Sequence, residues 1–172
     1  VSEAAGNSSA ASQVSIADLN AITGLDNEIL ANLTAYQAAI VEVVNKVDLN
    51  DVAKIQTLID SVNTTEANNA ASTAAITKVS EAATNGNEAN VSIADLNAII
   101  GLTNQDAANL AAYQTAIAAV TDKADLNDVA KIQALINTVN TTEANNAASA
   151  AAVNKVSEAA GNSSAASQVS IA

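Results

Sequence analysis

The segment VSIADLNAI begins at Val14 and returns at Val91, and the same register pairs Tyr36 with Tyr113 and Lys54 with Lys131. A fixed offset of 77 residues constrains the fold more than any other feature, because repeats of this size are supersecondary units stacked along one chain. The opening Val1 to Ala17 also returns letter for letter as Val156 to Ala172, at an offset of 155 residues. Residues 1–13 therefore read as the end of a preceding module and its linker, 14–90 as a first helical module, 91–168 as a second, and 169–172 as the start of another. Between 14–83 and 91–160 about three quarters of the positions carry the same residue, closer than a shared backbone demands. Such duplication suits functions in which length or copy number matters.

One module predicts helices throughout. Ser15 and Asp18 form a capping box ahead of Leu19 and Ile22, with Gly24 as a stop, giving a short helix over Ile16 to Thr23. A second helix is expected from near Asp26 to Val47, with Leu33, Tyr36, Ile40, Val43 and Val47 on one face. Asp48 to Asp51 repeats the capping pattern, and Val52, Ile55, Leu58, Ile59 and Val62 lay down the stripe of a third. The Ala-rich run from Thr64 to Ala83 either continues that third helix or restarts after Asn63, where NTTE resembles a cap; continuity is the favoured reading. A helix from Asp51 to Ala83 would be about 50 Å long. The fold class expected is all-α, tandem three-helix bundles joined by long Ala-rich connecting helices.

Comparing the two copies tests this core. Leu19, Ile22, Leu25, Leu33, Tyr36, Ile40, Val43, Leu49, Val52, Ile55, Leu58, Ile59 and Val62 recur unchanged, whereas Ile29 becomes Asp106, which places position 29 at the surface. Leu30 becomes Ala107 and Val47 becomes Ala124, so the second module is expected to be weaker by about 1 to 3 kcal/mol if those side chains are half-buried. AAGNSSAASQVS at 4–15 is one residue longer than AATNGNEANVS at 82–92, which marks a loop, and Gly6, Gly86 and Gly161 follow Ala-rich stretches as left-handed caps.

The chain has no Cys, His, Trp, Phe, Met or Pro. Triads, thiol nucleophiles, imidazole bases and zinc sites all need residues it lacks, and the reading is of a protein that is not an enzyme, with no catalytic, cofactor-binding or metal site. A formal charge of −12 repels phosphate backbones and anionic lipid, which argues against nucleic acid, and no apolar run is long enough to span a bilayer. Asp48 with Asp51, and Asp125 with Asp128, read as helix caps rather than a cation site. Tyr36 and Tyr113 read as core rings with the hydroxyl at the edge rather than as binding anchors. Asn-x-Ser/Thr triplets begin at Asn7, Asn32, Asn63, Asn90, Asn140 and Asn162, as a chain rich in these residues produces by chance. Thr73 and Thr84 lie near one helix face, but Ala150 and Gly161 replace them in the second copy, so an ice-binding face is not expected.

The pattern YQAAI at 36–40, then LNDVAKIQTLI at 49–59 and Val62, resembles the three-helix GA-type modules of bacterial cell-surface proteins and the helical repeats of very large secreted adhesins. It covers about 45 residues of each module. The resemblance implies a three-helix fold on an outer bacterial surface and, in some family members, binding of a host serum protein; the lack of Phe and Arg departs from those binders. The function expected is a structural spacer or stalk that extends a terminal domain from the cell, with the chain monomeric and its partners the neighbouring repeats. The alternative from another class is a protein-binding module presented many times for avidity.

Overall fold

In a computed structural model the chain is described over residues 1–160; Gly161, Asn162 and the start of a further module at 169–172 lie outside the described residues. Among the described residues all regular structure is helical, in the order α1 (Ser8–Ala11), α2 (Ile16–Asn20), α3 (Leu33–Glu42), α4 (Val52–Asn85), α5 (Ile93–Ala98), α6 (Leu110–Ala118) and α7 (Val129–Ala160). Short 3-10 turns intervene at Ser2–Ala4, Leu30–Asn32, Lys46–Leu49, Glu88–Asn90, Ala107–Asn109 and Lys123–Leu126.

The chain divides into two compact units, Val1–Ala70 and Ala71–Ala172. The division falls inside α4, in the exposed stretch 67–71, and not where the sequence repeat turns over at 90/91. The packing boundary and the repeat boundary thus fall at different places in the chain. The first half of α4 gives Ile55 and Ile59 to one core, and its second half gives Ala75, Val79, Ala82 and Ala83 to the next. No break occurs at Asn63, so the NTTE cap is not used and the third helix is continuous.

Unit 1 buries Leu19, Leu25, Tyr36, Ile40, Leu49, Ile55 and Ile59, with Ile22, Val43, Val52, Leu58 and Val62 packed at the margin. Unit 2 repeats this set from Leu96 to Ile136 and adds Ile99 and Val139 to the buried side chains. Between 14–83 and 91–160, 18 positions differ, and none of them is buried in either copy. The two copies therefore hold one core in common, and substitution is confined to positions where it costs least.

Three expectations fail in detail. The short first helix ends at Asn20 rather than Thr23, with Ala21 as its cap and Gly24 turning the chain at φ +87°. The second helix is only Leu33–Glu42, because Asn27 adopts φ +65° and the loop before residue 30 is bonded to side chains elsewhere. Its far end stops at Glu42, where Val43 is extended at ψ 107° and Asn45 caps the following 3-10 turn. As a result Val47 lies off the stripe and is 52% exposed, and Leu30 is 67% exposed. Their loss to Ala124 and Ala107 removes little buried area, which withdraws the reason for expecting a weaker second module.

Candidate functional site

The capping boxes form as the sequence predicts. Ser15 Oγ accepts from the Asp18 amide at 3.2 Å and Asp18 Oδ2 accepts from the Ser15 amide at 2.8 Å; Ser92 and Asp95 repeat the pair at 3.2 and 2.7 Å. The side-chain hydrogen bond from Ser15, together with its amide, holds the Asp18 carboxyl below its ordinary value. At Asp95 burial pushes the other way, and hydrogen bonds from Lys78 and Ser92 outweigh it, so that carboxyl is also lowered.

The acidic quartet is divided in role. Asp51 and Asp128 begin the long helices by accepting from the Lys54 and Lys131 amides, each at 3.0 Å. Asp48 and Asp125 lie one turn earlier, exposed in the 3-10 turns that Asn45 and Asp122 cap. The Lys54 ammonium closes this corner, donating to the Val47 carbonyl at 2.8 Å and to Asn50 Oδ1 at 3.2 Å, with Lys131 doing the same at Ala124 and Asn127. Among the described residues no three acidic side chains come together as a metal-binding group.

The densest polar constellation is one that spacing alone did not reveal. The Tyr36 ring is fully buried, and its hydroxyl turns inward, donating to Asn63 Oδ1 and accepting from the Ile29 amide at 2.9 Å. Asn32 Nδ2 donates to the same Asn63 oxygen at 2.9 Å, while Asn63 Nδ2 donates to the Asn27 carbonyl at 2.9 Å. The ring lies in the core and its hydroxyl, at the edge of that core, is satisfied by these loop and helix groups. Tyr113, Asn140, Asn109, Asn104 and the Asp106 amide repeat every one of these contacts. Two glutamines complete the fastening: Gln56 exchanges two bonds with the Asp26 backbone at 2.9 Å each, and Gln37 Nε2 donates to the Val14 carbonyl at 2.8 Å. Gln133 and Gln114 do so in the second copy.

These side chains satisfy the backbone of the irregular loop before α3, which has no helix or sheet to satisfy it. A signal for them was present in the sequence: within 26–30, four of five residues change between copies and only Asn27 is kept. Of the Asn triplets, Asn7 caps α1, Asn32, Asn63 and Asn140 sit in this network, Asn90 is exposed, and Asn162 lies outside the described residues. Thr73 and Thr84 both lie on α4, with Thr84 Oγ donating to the Glu81 carbonyl at 3.3 Å. The arrangement fastens loops to helices.

No protein family, curated protein or solved structure matches the chain. Among the described residues no helix is long and apolar enough to cross a membrane.

Proposed function

We propose that the chain is a stalk: tandem three-helix bundles of a long surface protein, whose work is to set distance rather than to transform or bind a ligand. The observation that carries this reading is α4, one helix of 34 residues whose first half belongs to one core and whose second half belongs to the next. A shared helix of about 50 Å makes the end of one module a structural part of its successor, as in arrays built for reach. The resemblance of residues 36–62 to GA-type modules supports placing such a stalk outside a bacterial cell, and the fastening of loops by amide side chains supports a mechanical role.

The avidity reading has less support. Ile29, Leu30, Val44 and Val47 are exposed apolar side chains in unit 1, but their counterparts are Asp106, Ala107, Thr121 and Ala124. A surface multiplied for avidity would recur in each copy. Small-angle X-ray scattering on chains of two, four and six modules tests the stalk: the maximum dimension should rise by a constant step of several nanometres per module. Growth that flattens with added modules would sink the reading.

A further inference from the structure

The two junctions that lead into the capping boxes are built differently. In unit 1, Gly6 at φ +68° lies against its neighbours: its amide donates to the Ile40 carbonyl at 3.2 Å, and a Cβ added there would meet the Val43 carbonyl oxygen at 3.3 Å. Asn7 follows, and its Oδ1 accepts from the Ser9 and Ala10 amides at 3.1 and 3.2 Å, which holds the carboxamide in the cap of α1. In unit 2 the order of the two residues is reversed. Asn85 ends α4 and Gly86 follows at φ +66°, with no atom within 4 Å of the place a Cβ would take. Asn85, Gly86 and Asn87 are exposed, and among the described residues the Asn85 carboxamide makes no hydrogen bond.

This is the one Asn-Gly step in the chain. The side-chain carbon of an asparagine can close a five-membered ring with the amide nitrogen of the next residue, and a glycine there leaves that nitrogen unshielded by any side chain. Packing that fixes the main chain, or a cap that fixes the carboxamide, opposes the closure. Neither acts on Asn85, and a helix terminus frays without opening the core.

We propose that Asn85 is a site of spontaneous covalent modification, an intramolecular rearrangement completed by water. The Gly86 amide nitrogen gives its proton to solvent base and attacks Asn85 Cγ; the new C–N bond forms, the Cγ–Nδ2 bond breaks, and ammonia leaves with a proton from water. Water then opens the succinimide. Attack at Cγ leaves an aspartate, whereas attack at the main-chain carbonyl leaves an isoaspartate, whose chain runs through Cγ and is one methylene longer. Either product sets a carboxylate at the C-terminal end of α4, where the helix dipole disfavours an anion, four residues from Glu81 and lining the same cleft. The isoaspartate also lengthens the chain between Ala82 and Ala83, which belong to the unit 2 core, and the box that begins at Ser92. The rearrangement therefore loosens the last turn of α4 and leaves unit 1, whose junction is packed and whose asparagine is tied, as it was. The inference rests on the chemistry of this junction and stands apart from the stalk reading.

Ageing the whole chain at physiological pH and temperature tests it. Intact mass should rise by about 1 Da, the difference between an amide and a carboxyl group. Peptide mapping with electron-transfer fragmentation should place the gain at Asn85, as a mixture of aspartate and isoaspartate, with Asn7 unchanged over the same period. The rate should increase with pH, because the attacking nitrogen must lose a proton, and should lie within about tenfold of the rate in urea, since the site is open in the folded chain. Asn85→Gln should abolish the gain, because glutamine closes a slower six-membered ring; position 85 is exposed, so circular dichroism should be unchanged. Hydrogen exchange on the aged chain should quicken in the last turn of α4 and not in unit 1. Freshly prepared Asn85→Asp, which carries the charge without the added methylene, should show a smaller part of that change. A folded chain that keeps its mass while the urea-unfolded chain converts, a gain that Asn85→Gln leaves in place, or exchange that quickens equally in unit 1 would overturn the proposal.

Discussion

Units 1 and 2 have the same core letters from Val14 to Val62 and from Val91 to Val139, yet they are not equally well buried. Ile22 and Val62 are half-buried in unit 1; their counterparts Ile99 and Val139 are buried in unit 2. The added cover comes from α4, whose Ala75 and Val79 join the unit 2 core and whose Lys78 pairs with Asp95. A repeat in such an array is stabilised partly by the helix of the repeat before it, so stability is a property of position as well as of sequence. Unit 2 should therefore be the more stable of the two, the reverse of what Leu30→Ala and Val47→Ala imply when read from sequence alone.

The largest effects should come from the shared core and should be alike in both units. Ile59→Ala and Ile136→Ala each remove a fully buried side chain and should cost about 2 to 5 kcal/mol. Native-state hydrogen exchange on the whole chain reads each unit by its own amides. A much smaller cost at Ile59 would mean that unit 1 lacks the packed core described. The next effect should separate the units. Val79→Ala should lower the protection of unit 2 by about 2 kcal/mol, whereas Val156→Ala, the same letter in the same repeat position, should change thermal stability by less than about 0.5 kcal/mol in dilute solution. The contrast follows from exposure of 0% against 53%.

Tyr36→Phe and Tyr113→Phe ask whether the amide network fastens the loop equally in both copies. Each change takes the acceptor from one loop amide, Ile29 or Asp106, and the donor from one asparagine oxygen. A cost of about 1 to 2 kcal/mol is expected, with exchange speeding up first in the loop before α3 or α6. Loss spread evenly over the unit would show that the hydroxyl supports the whole core and not the loop.

Acid should expose a further difference. Asp95 is raised by burial but lowered more by Lys78 and Ser92, so its folded value lies under the ordinary 3.8. A depressed carboxyl contributes stability above the unfolded value and loses it as pH falls through the folded one. Unit 2 should lose protection below about pH 4, and Lys78→Ala should flatten that dependence. In unit 1 the two lowered carboxyls, Glu3 through Lys46 and Asp18 through Ser15, are both exposed, where solvent screens such interactions, so its acid response should be shallower.

Much of the fold was legible because helices announce themselves through periodic apolar residues and caps: the boxes at Ser15 and Ser92, the stripe from Ile55 to Ile59, and the continuity of α4 all follow from local chemistry. The failures cluster at 26–32 and 43–47. There the chain is shaped by bonds to Tyr36, Gln56 and Asn63, which are distant in sequence, and helix propensity is overruled by satisfaction of loop amides. The place of the packing boundary was illegible for a related reason. A repeat can be cut anywhere in its period, and only burial shows that Ala75 and Val79 belong with residues that follow them.

The smallest expected effect concerns one atom. Glu28 Oε1 is shielded from solvent without a hydrogen-bond partner, whereas its counterpart Gln105 donates from Nε2 to the Leu96 carbonyl at 3.4 Å. A carboxylate cannot donate to the equivalent Leu19 carbonyl, and an amide can. Glu28→Gln should therefore stabilise unit 1 by up to about 1 kcal/mol, and Gln105→Glu should weaken unit 2 by a similar amount. Thermal melts of the two single variants at neutral pH decide it. If neither melt moves, or both move the same way, the difference between Glu28 and Gln105 is a surface substitution like the others and carries no part of the difference between the units.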